Sequence, residues 1–154
     1  MRFQDQVVRQ TQKALDDICR AALAVPEDKR DWSPGGFGRS ALSQMQEVAI
    51  SATWLRPILA GQGVPADDDP VLAQRTLNDS IEKCVEAARA STSEICMAIA
   101  AFPDGRLEEE MTMPFGGGIV MTFAEVLGLH HWNMVYHLGQ INQIQLMLGD
   151  KVMH

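Results

Sequence analysis

LGLHHWNMVYHLGQINQIQ, residues 127–145, is the stretch that decides the fold. It holds no proline, and its apolar positions recur every three or four residues, which is the period of a helix with a packed face. At about 100° per residue with His130 at zero, Asn133 falls near -60°, Met134 near +40°, His137 near -20°, Gln140 near -80°, Ile141 near +20° and Ile144 near -40°. One arc therefore carries His130, Asn133, His137 and Gln140 among Met134, Ile141 and Ile144, while His131 points elsewhere. Burying so many hydrogen-bonding side chains without partners costs roughly 1 to 3 kcal/mol each, so they must meet each other, water, a ligand or a metal.

Outward from this stretch, Thr122 and Glu125 form a T-x-x-E capping box, and Gly149 follows Leu148 as a helix stop. Together they predict one long helix from Thr122 to Gly149. Three more helices are predicted upstream. The first runs from Gln4 to Ala24 and ends before Pro26. The second starts at a Ser40 cap and runs to Ala60, with Pro57 as a kink or early end. The third spans Asp79 to Ala101, opened by Asp79 with Glu82. Sustained period-two alternation is nearly absent, so the fold class is all-α, a four-helix bundle.

Pro26 to Arg39 is a turn-rich loop, and Gly61 to Leu77 is a long crossover with a helical turn near Val71 to Arg75. Its acidic run, Asp67 to Asp69, reads as a solvated face, because the longer spacing of a calcium loop is missing. Between Arg106 and Met121, MTMPFGGGIVM reads as a short hairpin, or else as an irregular loop that lids the bundle. Two long connections predict crossover topology rather than short up-down turns.

The length of 154 residues and 46% hydrophobic content support one domain, 1–154, and not two. A net charge of -7 is a poor field for phosphate backbones or anionic lipid, which argues against nucleic acid and membrane partners. Cys19, Cys84 and Cys96 cannot all pair within one chain, and none has CxxC or CxxH spacing. They read as reduced thiols buried in the core of a cytoplasmic protein. No signal-peptide or membrane-length apolar run is present.

His137-Leu138-Gly139-Gln140-Ile141, the Trp32-Ser33-Pro34-Gly35-Gly36 loop before a Ser-capped helix, and four long helices with a crossover together resemble the DinB-like, or YfiT-like, four-helix bundles. The resemblance covers residues 3 to 149. It implies three histidines on a divalent ion such as zinc or nickel, one from the second helix and an H-x-x-x-H pair from the last. Carried over, His137 matches the final ligand, while Asn133 and Glu47 stand where the other two histidines would be. Glu47 lies seven residues before Trp54, as the family's histidine does before its aromatic.

The expected site is thus Glu47, Asn133 and His137, with His130, Gln140 and Trp54 around the cavity. Helix two has two apolar stripes, so Glu47 faces either this cavity, as ligand or hydrogen-bond partner, or solvent. A carboxylate and an amide in place of two imidazoles shift preference toward harder ions such as manganese or iron. The resemblance implies a metal-dependent hydrolase, or a transferase of low-molecular-weight thiols, acting on a small molecule. The other reading is a metal-free relative, a small-ligand-binding module or a dimeric stress-linked scaffold. A homodimer is expected, with Trp132 and His131 as candidate contacts.

Overall fold

The computed structural model describes residues 1–65, 69–152 and 154. Its long elements are α1 (Phe3–Ala24), α2 (Ala41–Leu59), α3 (Asp69–Leu77), α4 (Ile81–Ala101), α5 (Phe123–Leu127) and α6 (Leu129–Met147), with a hairpin of β1 (Glu110–Met113) and β2 (Ile119–Thr122) between α4 and α5. Asp67 and Asp68 lie outside the described residues, as does the side chain of Asp69, and with them the reading of this acidic run as a solvated face.

Four of these helices build the bundle. α1 packs against α4 and α6, and α2 packs against the same two from the opposite corner. Their directions follow from the bonds that tie them. Arg2 Nη1 donates to the Ala100 carbonyl, so α1 begins where α4 ends. Gln145 Nε2 donates to the Ala21 carbonyl, 3.0 Å, so α1 and α6 end together. Gln46 Nε2 donates to the Asn78 carbonyl just ahead of α4, and Arg56 late in α2 pairs with Glu94 in the second half of α4. α2 and α4 therefore run parallel, and the chain between them must return along the length of the bundle. This is the crossover expected from the loop lengths.

The returning segment is more ordered than expected. Where a single turn was predicted, α3 forms over Asp69–Leu77 and packs on α2, with Arg75 Nη2 donating to Ser43 Oγ at 2.9 Å. Other local readings are borne out or refined. Ser40 caps α2 by accepting the Ser43 N–H, and α2 continues two residues past Pro57. α4 is capped by Ser80, which accepts from the Lys83 N–H, and not by Asp79, which instead pairs with the Lys83 ammonium at 2.8 Å. Ser80 is the residue directly before α4 and has extended backbone, so its hydroxyl reaches the first free N–H groups, whereas Asp79 stands one residue further out.

The long terminal helix is interrupted. The Thr122 and Glu125 capping box opens α5 as predicted, but Gly128 separates it from α6. The Gly128 N–H bonds to the carbonyl of Glu125, three residues back, a tightened turn that a residue without Cβ accepts easily. The apolar pattern runs through the break unchanged, which is why periodicity alone does not show it.

The hairpin reading is borne out. Met111 pairs with Met121 and Met113 with Ile119, and Gly116, Gly117 and Gly118 turn the chain with φ of 63°, 81° and 98°. Met113 is fully buried and plugs the hairpin into a core cluster with Leu55, Ile95, Ile99 and Leu127. A second cluster, around Ile18, Met45, Ile81, Met134 and Ile141, fills the other half of the bundle. All three cysteines are buried and unpaired, and burial pushes Cys19 up to about 11 and Cys84 to about 12, so neither is a ready nucleophile. No helix among the described residues is long and apolar enough to cross a membrane.

Met113→Ala removes the plug that seats the hairpin. We expect a loss of about 2 to 5 kcal/mol in urea unfolding, the usual cost of truncating a buried methionine, with faster amide exchange through β1 and β2.

Candidate functional site

α2 lies between α4 and α6, so both of its apolar stripes are used. Met45, Ala49, Ala52 and Leu55 are buried, and so are Ile50 and Ile58 on the other side. The second stripe carries Glu47 toward α6, where the sequence left its direction open. Glu47 is half-buried, at 35% side-chain exposure, and its two oxygens have separate partners. Oε1 lies 3.0 Å from His137 Nε2 and accepts from Asn133 Nδ2 at 3.1 Å, while Oε2 pairs with the Arg39 guanidinium. The three residues expected to form the site are thus in one hydrogen-bonded group.

His137 is buried and fixed from its other edge. Its Nδ1 contacts Gln44 Oε1, and the Gln44 amide nitrogen donates to Gln140 Oε1. Both oxygens facing this ring are acceptors. An imidazole with one N–H satisfies only one of them, so the arrangement calls for a second proton or a cation on the Nε2 side. Asn133 Oδ1 is buried as well and has no hydrogen-bond partner.

Two turns before His137, His130 bridges three helices. Its Nδ1 is 2.8 Å from Ser51 Oγ on α2, and its Nε2 is 2.8 Å from Thr92 Oγ1 on α4. The Ser51 hydroxyl also reaches the Val48 carbonyl at 3.2 Å. Donation from Ser51 to Val48, from His130 to Ser51 and from Thr92 to His130 satisfies every group with a neutral ring.

Outside this polar group, a cleft of about 770 Å³ opens between α2, α6 and the hairpin. Its walls include Trp54, Leu55, Phe115, Ile119 and Met121. Ser51, His130 and Asn133 form its polar side, and Gly128 also borders it. The Trp54 and Phe115 rings face each other at 6.4 Å with a 44° tilt. The hairpin therefore forms one wall of the cleft. Trp132, placed by the sequence on an outward face, borders the cleft too, and stacks on Tyr136 at 5.4 Å. Gln140 is at the site through Gln44, and Met113 and Met134 are core residues, not pocket walls.

Four contributors were not foreseen. Gln44 and Ser51 sit three residues before and four after Glu47, on the same arc of α2, and that spacing is a usable signal. Thr92 lies mid-helix in α4 and looks like any small core residue. Arg39 precedes the α2 cap, where side-chain direction has no periodicity to reveal it.

The hydrogen bond from His137, with Arg39 adding to it, holds the Glu47 carboxyl down at about 2, against a usual 4.5. Burial pushes His130 down to about 4, from 6.5. Both folded-state values lie below the unfolded ones, so each contribution is complete above the unfolded value and is lost as the pH falls. Stability is expected to drop first between about pH 6.5 and 4, as the unfolded chain protonates His130, and again between 4.5 and 2 through Glu47. Urea titrations across this range should show both stages in the wild type and only the upper one in Glu47→Gln.

A sequence model of the DinB superfamily matches residues 5–141. Among solved structures, the chain is similar to YfiT from Bacillus subtilis, described as a probable metal-dependent hydrolase with an unusual four-helix bundle topology. The TM-score is 0.77 at 12% identity, over 95% of this chain and 87% of that one, a likeness of fold. No curated protein matches the chain. On the family match, which spans most of its length, the chain belongs to the DinB superfamily.

Proposed function

We propose that the protein is a metal-dependent enzyme of the hydrolase or thiol-transferase kind, with Glu47, Asn133 and His137 as its ion site. The observation that carries this reading is His137 Nε2 facing Glu47 Oε1 at 3.0 Å, a gap that a proton or a cation must bridge, with the other edge of the ring already occupied by Gln44. YfiT's description as a probable metal-dependent hydrolase supports the same reading.

The donor set fits a divalent ion of the harder kind. Among the described residues no three His, Cys, Asp or Glu side chains cluster, so the third donor must be an amide. Asn133 Oδ1 is buried and unpartnered, which makes it available. His137 would hold the ion through Nε2, Glu47 through Oε1 and Asn133 through Oδ1, a nitrogen-and-oxygen set that suits manganese or iron better than zinc. What such an ion supplies when bound is Lewis acidity.

The chain's own residues do the rest. Gln44, held by Gln140, sets the His137 ring and assigns its Nδ1 proton, as outer partners of ligating histidines commonly do. Arg39 and Asn133 aim the Glu47 carboxylate. Because that carboxyl is held near 2, it stays ionised and works as a fixed negative charge, not as a proton donor. Burial keeps His130, which lines the cleft, neutral.

Arg39 favours a second reading, a metal-free binding module. A guanidinium on Glu47 already neutralises the one charge that would attract a cation, and a proton on His137 Nε2 completes the hydrogen bond without any ion.

Elemental analysis of tag-free protein purified without chelator separates the two. The metal reading expects about one ion per chain, consistent with three protein ligands, and its loss in His137→Ala. Arg39→Ala should bind the ion more tightly, because it removes the competing positive charge. A folded wild type that takes up no manganese, iron, nickel or zinc, with Arg39→Ala no better, overturns the metal reading.

A further inference from the structure

We infer that the cleft beside the polar group takes an uncharged, largely apolar molecule with an aromatic or alicyclic body, and excludes anions such as carboxylated or sulfonated compounds. The inference deepens the proposed function by naming the substrate class, and it rests on that reading only for which end of the molecule reacts.

The cleft, at about 770 Å³, is of a size to enclose a drug-sized ligand. Its walls include Trp54, Leu55, Phe115, Ile119, Met121 and Trp132, three aromatic faces and three aliphatic or thioether chains. Phe115 and Ile119 are 41% and 44% exposed, large apolar surfaces that a guest would cover. Charge is scarce and of one sign. Among the described residues, no Lys or Arg borders the cleft, and its one ionisable acid is Glu125. That carboxylate is committed to the Thr122 N–H at 2.8 Å as part of the α5 cap, so it stays ionised at the rim.

The nearest cation in the polar group, Arg39, is paired with Glu47 and does not line the cleft. An anionic guest would therefore lose its water and meet one negative charge and no positive one, within a chain of net charge -7. Polar contact is confined to Ser51, His130 and Asn133 on one side, so a bound molecule turns its polar end toward Asn133 and its apolar body toward the hairpin.

The test uses two naphthalene fluorophores of similar size on chelator-treated protein. One is neutral, a propionyl-dimethylamino derivative, and the other is an anilinonaphthalene sulfonate. The expected result is saturable binding of the neutral probe and at least tenfold weaker binding of the sulfonate. Trp54→Ala should weaken the neutral probe by about tenfold, which is 1.4 kcal/mol, the upper range for one aromatic contact. Ile119→Arg leaves the core intact and places a cation on the wall, so it should reverse the preference toward the sulfonate. Equal or tighter sulfonate binding in the wild type overturns the inference. So does neutral-probe binding that neither variant changes, or the absence of binding by either probe. Because no ion is present, these outcomes are independent of metal content: a chain that holds metal but prefers the sulfonate loses the substrate class and keeps the metal reading, and the converse result does the reverse.

Discussion

Two imidazoles buried on one face of a single helix require hydrogen-bond partners from the helices opposite, and that requirement sets how α2 lies against α6. His130 and His137 are seven residues apart, two turns of α6, and both are about 1% exposed. Their partners Ser51 and Gln44 are likewise seven apart on α2, in the reverse order. A slip of one turn between the helices would leave both rings unpartnered at once, at roughly 1 to 3 kcal/mol for each lost group. Apolar packing tolerates small sliding, because Leu, Ile and Met can repack. The two polar clasps do not, so they fix the register that the surrounding apolar clusters fill.

That register is also what makes the site. With Ser51 opposite His130 and Gln44 opposite His137, Glu47 falls between them and opposite Asn133, which lies between the two histidines on the same arc of α6. The carboxylate then has three donors to accept from: His137, Asn133 and Arg39. Its low proton affinity follows from this arrangement and outweighs the partial burial, which acts in the other direction. Asn133 Oδ1 is left over. A purely structural clasp has no use for an orphaned acceptor at the wall of a cleft, and this feature sets the Glu47 end apart from the His130 end, where every polar group is satisfied.

Much of this was legible in the sequence because it depends on helical period. The arc of α6 is found as the 100° arithmetic places it: His130, Met134, His137, Ile141 and Ile144 are all buried, and Asn133 and Gln140 lie at its edge. Glu47 at the position seven before Trp54 was a legible candidate for the same reason, although a helix with two apolar sides could not show which one faced α6. What periodicity cannot see are features that leave the apolar repeat unchanged. The break at Gly128 shifts the backbone without moving any hydrophobic residue out of phase. α3 lies where Pro65 and Pro70 suggested a loop, yet Pro is compatible with the first turn of a helix, and Asp69–Leu77 begins with one. Arg39 reaches Glu47 from outside any helix, and the choice of Ser80 over Asp79 as a cap is a matter of side-chain reach.

Arg39 bears most on the chemistry. Without it, Glu47 would be a lone carboxylate in a partly buried group, and a divalent cation would be the natural counter-charge. With it, the carboxylate is neutralised from outside while its inner oxygen still faces His137. A guanidinium cannot give up its proton, so this compensation is permanent, whereas what bridges His137 Nε2 and Glu47 Oε1 can be a proton or an ion. Among the described residues, the cleft beside the group adds no cation of its own. Without an ion, the polar centre is therefore balanced by its own pair, and Glu125 at the cleft leaves a field that accepts a neutral guest or a cation and resists an anion.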